Sequence, residues 1–401
     1  MEAIMEKVKP VGLKTLLERI NNIGVLLGEN IEEEENARTL SEPVFRALGE
    51  NGLLRLFMPD QLGGLEADPL TVAILVEEAS RYNAAAGWTM MVANVSTWWC
   101  GRLSQKGIDE IYQEGPTTFL AGAVHPPMAA IPVPGGYLIS GRIPLTSNVH
   151  AARWIFVSAL VMANGQPKMN NGIPEIIGVF MEAHQCQILD TWYTIGMKAT
   201  DSNDVAASEV FVPVDHSFPL MPEYKPNKYY GGSLYKFPAV GISANCLIAP
   251  VALAVASNAI KEVRAIAEKK TSFGSVAPLR ERGVVQRKLG QAEALVRSGR
   301  AYLHNSISSC WEKVIQGQTI TLEEKAGLLL SAAHTNQSCL QAVDLMYSVA
   351  GTNAIYTRNK LSRYFTDAQV IRQHGFANDS RYETAAQVML GLQPDLPILG
   401  F

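Results

Sequence analysis

Val285-Gln-Arg-Lys-Leu289-Gly-Gln-Ala292-Glu-Ala-Leu-Val296-Arg-Ser-Gly299-Arg-Ala-Tyr-Leu303-His-Asn-Ser-Ile307 places apolar or small residues at intervals of 4, 3, 4, 3, 4 and 4. Leu328, Ala332, Thr335, Cys339, Ala342 and Met346 repeat the pattern at 4, 3, 4, 3 and 4. Such intervals return to one face of a 3.6-residue helix, so the spacing predicts two long helices sharing a buried seam. Upstream, the period changes. Val205 to Val212 alternates and closes on Pro213, Trp154–Val161 and Ile176–Met181 are apolar β-branched runs, and Tyr137–Ser140 leaves a Pro134-Gly135-Gly136 turn. Further upstream helix returns: Ser41-Glu42-Pro43 starts one that Gly52 ends, Thr71–Tyr82 is another, and Gly87–Cys100 carries Trp88, Trp98 and Trp99. The fold class expected is α+β, mostly α. It comprises an N-terminal helical domain (1–120), a middle β-barrel or sandwich domain (121–235) whose end, Phe218–Phe237, reads as a connector, and a C-terminal four-helix bundle (236–401).

Composition narrows the function classes. Of 401 residues, 47% are hydrophobic and 18% charged, far too apolar for a disordered chain. A net charge of −4 argues against a nucleic-acid partner. The first residues carry acids and no apolar core, and the most apolar stretch, Ile242–Ile260, is interrupted by Asn245, Pro250, Ser257 and Asn258. No membrane span is expected, and the chain reads as cytoplasmic. The five cysteines form no C-x-x-C and the seven histidines no H-x-x-x-H, so no metal site is expected. Neither G-x-G-x-x-G nor a P-loop occurs.

Four short motifs follow one another: Gly52 to Pro59 with Gly63-Gly64, Gly135 to Arg142, Thr194 to Val205, and Phe273-Gly274 after Lys270. In this order they resemble the acyl-CoA dehydrogenase family, which favours Arg at the Lys270 position. Dehydrogenation by that family needs a carboxylate base beside the flavin. Gly375 stands where many members keep a Glu, and Val240–Ile260, the other place for a base, has no acid. Arg363, Phe365, Asp367 and Gln373-His374 instead resemble the two-component flavin-dependent monooxygenase branch, with Thr366 replacing its usual Arg.

That resemblance implies an oxygenase component. It would take reduced FMN or FAD by diffusion from a separate flavin reductase and react it with molecular oxygen to a flavin hydroperoxide. It would then oxygenate a small, aromatic or heteroaromatic substrate. The catalytic residues implied are His374, His125 and Ser147, with the imidazole orienting or deprotonating the substrate. Ser147, Trp192, Thr200, Ser202, Lys270 and Phe273, with Lys269 nearby, are implied to bind the flavin. Trp88, Trp98, His125 and His374 are implied to line the substrate pocket. Ile143 and Leu145 replace aromatics of the flavin-binding pattern, and Asn148 replaces a Gly. A homotetramer is implied as well. The alternatives are an acyl-CoA dehydrogenase with a displaced base, an N-oxygenase of an amino sugar or amine, and a flavin-free scaffold.

Overall fold

A computed structural model describes residues 11–170, 172–220, 225–271, 276–376 and 378–400. The N-terminal helices are α1 (Leu13–Glu29), α2 (Ile31–Ala37), α3 (Glu42–Glu50), α4 (Pro69–Tyr82), α5 (Ala84–Cys100) and α6 (Gln105–Ile111). Local chemistry sets their ends. Pro69 opens α4, and the Asp68 carboxylate accepts from Thr71 N at 2.9 Å. Asn83 then starts α5: its side-chain oxygen accepts from Ala85 N, while its amide donates to Leu27 O and Glu34. The first turns of α5, which carry Trp88, are therefore pinned to the rest of the helical layer.

The strands are β1 (Leu120–Val133), β2 (Gly136–Thr146), β3 (Trp154–Ala163), β4 (Gln166–Pro167), β5 (Met169–Asn170), β6 (Ile173–Pro174), β7 (Ile176–Glu182), β8 (Gln187–Leu189), β9 (Asn203–Pro213) and β10 (Ser217–Pro219). One eight-stranded sheet runs β10-β7-β3-β1-β2-β9-β8, with β4 on β3. The stretch expected to be a connector thus begins inside an edge strand. Ile139, Ile155, Val157, Val179, Val205 and Val212 bury one face within the sheet's own core, which requires the sheet to curl round them. The opposite face presents Phe156, Phe180 and Phe218 to α5, where Trp99 stacks on Phe156 at 5.7 Å and on Phe218 at 6.1 Å. Trp98 meets Trp99 edge-on at 5.1 Å and sends its indole N–H to Leu234 O. Trp98 is therefore packed in the core of this junction, whereas Trp88 reaches the Ser147 hydroxyl. The helical period explains the difference: ten residues beyond Trp88, its side chain leaves α5 on another face.

The C-terminal helices are α7 (Ala249–Lys269), α8 (Gly283–Ile315), α9 (Leu322–Ala350), α10 (Lys360–Ile371) and α11 (Ser380–Met389). A π-helical stretch, Gly241–Ile248, leads into α7. Pro250 has no N–H for the carbonyl four residues back, which favours the widened turn. Gly241–Lys269 is long and apolar enough to cross a membrane, but 89% of its apolar window is buried inside the protein. Helices α8 and α9 carry the two seams read from sequence, with Ala292, Val296, Leu303 and Ile307 facing Leu328, Ala332 and Ala342 in one core. Glu77 of α4 joins the first and last layers. It is 5% exposed and accepts from Arg300 of α8 through both oxygens, at 2.7 to 3.2 Å, and from Arg81 at 2.6 Å.

Candidate active site

Three segments meet at the end of β2. The strand delivers Thr146, Ser147 and Asn148, all buried. Asn148 adopts φ 54°, a left-handed conformation that Gly accepts freely and Asn tolerates. The replacement of Gly by Asn noted in the sequence is thus accommodated, and Asn148 N donates to Thr200 O at 2.8 Å. Of the two replaced aromatics, Ile143 points into the sheet core and Leu145 is exposed.

Helix α5 brings Trp88, whose indole Nε1 donates to Ser147 Oγ at 3.1 Å. The loop ahead of β9 brings Thr200 and Ser202: Ser147 Oγ lies 2.7 Å from Ser202 Oγ, which lies 2.7 Å from Thr200 Oγ1. Just beyond α10, His374 meets the Trp88 ring edge-on at 5.7 Å and stacks near Phe376 at 5.8 Å. The structure therefore unites five of the expected residues, Trp88, Ser147, Thr200, Ser202 and His374, in one aromatic and hydroxyl cluster.

His374 has a defined proton. Its Nδ1 accepts from Phe376 N at 3.3 Å, leaving Nε2 to carry the hydrogen. Burial pushes the imidazole down to about 4. A neutral ring cannot serve as a cationic partner for the α10 C-terminus. With its only bare nitrogen occupied, it is a hydrogen-bond donor rather than a base.

The other expected residues lie elsewhere. His125 is exposed on a bulge where the pairing of β1 with β3 shifts between Ala123 and Met128. Among the described residues, no hydrogen bond, ion pair or ring contact joins it to His374. Trp192 is buried, with Nε1 donating to Lys198 O at 2.9 Å. Lys270 sends its ammonium to Ala350 O at 2.8 Å, at the C-terminal end of α9. That bond stabilises a helix end. Lys269 is exposed, and Phe273 lies outside the described residues.

Sequence reasoning gave no role to Asp367. From α10 it accepts from Met197 N at 2.6 Å, fixing the loop that presents Thr200 and Ser202. Gly196 permits the approach: a Cβ there would stand 2.4 Å from the Thr366 carbonyl. Asp367, Glu35, Asn83, Lys198 and Arg363 line a small cavity of about 20 Å³ at this seam. Burial drives the Asp367 carboxyl from its ordinary 3.8 up to about 7; nearby Glu35 adds to this, and the Met197 N–H, Arg363 and Lys198 oppose it. The folded chain then binds a proton that the unfolded chain releases between about pH 4 and 7, so stability falls as pH rises through that window. Asp367→Asn keeps the acceptor and removes the charge. Its melting temperature should vary less between pH 5 and 8 than the wild type's, with a gain of a few kcal/mol at most at pH 8. An unchanged pH profile would remove Asp367 from this role.

The cluster fits a flavin. Thr146 Oγ1 and Asn148 Nδ2 are buried without a hydrogen-bond partner, and such orphaned atoms beside aromatic rings suit a planar heterocycle with a polar edge. Residues 27–113 match the acyl-CoA dehydrogenase N-terminal domain and residues 246–379 the C-terminal domain. The chain belongs to the acyl-CoA dehydrogenase family. Among its relatives, indole-3-acetate monooxygenase of Acinetobacter baumannii is 28% identical over 362 residues, 90% of each chain. The flavin-dependent monooxygenase oxygenase subunit HsaA of Mycobacterium tuberculosis is 25% identical, over 94% of each. XiaF from Streptomyces sp., solved with FADH2 and glycerol, superposes with a TM-score of 0.87 at 21% identity, over 96% of this chain and 97% of the other. The family's fold is thus present over 96% of the chain.

Proposed function

We propose that the protein is the oxygenase component of a two-component flavin-dependent monooxygenase acting on a small aromatic or heteroaromatic substrate. The observation that carries this reading is the neutral His374 beside Trp88 and the Ser147 hydroxyl, where a dehydrogenase requires a carboxylate. The names of the relatives, an indole-3-acetate monooxygenase and a flavin-dependent oxygenase subunit, agree with it.

When bound, reduced FMN or FAD delivered by a separate reductase supplies the electrons that activate dioxygen. Ser147, Asn148 and Thr146 would hold the polar edge of the ring. His374 Nε2–H donates a hydrogen bond into the pocket, orienting the oxygen-bearing group of the substrate or the oxygen to be transferred. Trp88 and Phe376 supply apolar walls that exclude water from the reacting atoms. A histidine held neutral from about pH 5 upward makes its donation independent of pH across the working range. We also propose a cytoplasmic homotetramer. All five cysteines are unpaired, and exposed Ile355, Tyr356, Met389, Leu390 and Leu392 offer apolar surface near the C-terminal end.

The test supplies the protein with FMN or FAD, a general flavin reductase and a panel of indoles and phenols. Oxygenated product formed only with both reductase and flavin supports the reading. Absence of product across the panel, with all consumed oxygen recovered as hydrogen peroxide, counts against an aromatic substrate.

A further inference from the structure

The two loops that meet at the site are held in costly backbone conformations. Among the described residues eight besides glycine have positive φ. Four of them lie on these two loops: Leu145 (61°), Asn148 (54°), Met197 (50°) and Asp201 (48°). Such residues persist only where their surroundings fix them, and at Asp201 the side chain does the fixing. Asp201 stands between Thr200 and Ser202 and is 3% exposed. One carboxylate oxygen accepts from His150 N at 3.0 Å; the other lies 2.7 Å from His150 Nδ1 and accepts from Asn203 Nδ2 at 2.8 Å. A carboxylate only accepts, so His150 Nδ1 donates. Backbone bonds close the same seam, Asn148 N to Thr200 O at 2.8 Å and Val149 N to Asp201 O at 3.5 Å. With its amide group on Asp201, Asn203 turns its side-chain oxygen to Thr191 N at 2.9 Å and Trp192 N at 3.0 Å. One buried carboxylate thus ties together the turn after β2, the loop ahead of β9 and the stretch that carries Trp192.

We propose that Asp201 is a positioning residue for flavin binding, an inference that rests on the oxygenase reading above. Its bonds to His150 and Asn203 set the loops in the flavin-free protein. It acts through its neighbours: Thr200 and Ser202 flank it in the chain, so a shift of Asp201 moves both hydroxyls. Loops already in place bind a ligand without the loss of freedom that mobile loops would suffer. Aspartate suits the position on two counts. It tolerates the left-handed backbone better than most side chains, and it accepts from three N–H groups at once. Asparagine would bring an N–H of its own to a point where donors already converge.

The experiment is anaerobic titration of the full chain with reduced FMN and FAD, followed by quenching of tryptophan fluorescence. Asp201→Gly keeps the backbone freedom that φ 48° asks for and removes the carboxylate. Its dissociation constant for reduced flavin should rise about ten-fold, the scale of one hydrogen bond to a charged group. Asp201→Asn, which keeps one acceptor oxygen, should recover part of that loss. His150→Ala should weaken binding less than Asp201→Gly. The double variant should bind no more weakly than Asp201→Gly alone, because its His150 bond is already gone. Thermal melting without flavin checks that each variant is folded; if Asp201→Gly is not, His150→Ala carries the test, and wild-type affinity there overturns the inference. A folded Asp201→Gly that binds as the wild type does, or fully additive losses in the double variant, also overturns it, while wild-type flavin binding leaves the oxygenase reading standing. A wild type that binds no reduced flavin overturns both.

Discussion

His374→Ala is expected to lower aromatic oxygenation about 100-fold while leaving reduced-flavin affinity within a few-fold, the loss typical of removing one preorganised donor from a reacting centre. The ring is fixed three ways: by the edge-on contact with Trp88, by Phe376 beside it, and by the Phe376 N–H on Nδ1. Truncation removes the Nε2–H donor and opens space for water. Dioxygen consumed should then be recovered as hydrogen peroxide in place of product. His374→Asn, which retains an N–H near the same place, should restore part of the coupling. Because burial already holds the imidazole near 4, the wild-type rate should show no inflection at the ordinary histidine value of 6.5. An acid limb at 6.5 that vanishes in the Ala variant would establish His374 as a base instead. The ratio of product to peroxide against pH decides between the two.

Glu77→Ala is expected to cost about 3 kcal/mol of stability, the lower end of the range for breaking a buried ion pair. The lower end applies because the Arg300 and Arg81 side chains are 26% and 37% exposed and regain some solvation. Arg300 is left with Ser257 alone at the contact of α4 with α8, while Arg81 keeps Glu78 at 3.2 Å. Thermal melting should fall by several degrees. Glu77→Gln, which keeps an acceptor of the same shape, should recover part of the loss. If Glu77→Ala melts with the wild type, the two helical layers are held by packing alone.

Local signals in the chain carry much of this architecture. The Pro-led start of α4 and the 3–4 spacing of α8 and α9 each depend on neighbouring residues, so each is legible in the amino-acid order alone. Strand β9 shows the limit. Val205 to Val212 reads as one strand, yet Glu209 at φ 53° forms a bulge, pairing Val210 with Ile139 and Ala207 with Gly141. Without it Val210 and Val212 would turn outward. Only the partner strand's register dictates the bulge.

At the site, Ser147 and His374 stand in motifs and are readable as residues, but their roles are not. The surroundings of Ser147 depend on Trp88 of α5 and Ser202 ahead of β9, and the His374 tautomer on a backbone N–H. Nothing local to Lys270 marks the hydrogen bond its ammonium makes to Ala350 O, eighty residues on. Asp367 acts across 170 positions, and nothing local to α10 marks the loop it holds.

The most direct test of the central claim, oxygen delivery in place of hydrogen removal, uses isotopically labelled dioxygen. The protein is loaded anaerobically with reduced flavin, mixed with labelled dioxygen and an aromatic substrate, and the product is weighed by mass spectrometry. Oxygen delivery predicts one labelled oxygen atom per product molecule. Unlabelled product, together with anaerobic reduction of bound oxidised flavin by an acyl thioester, would contradict it.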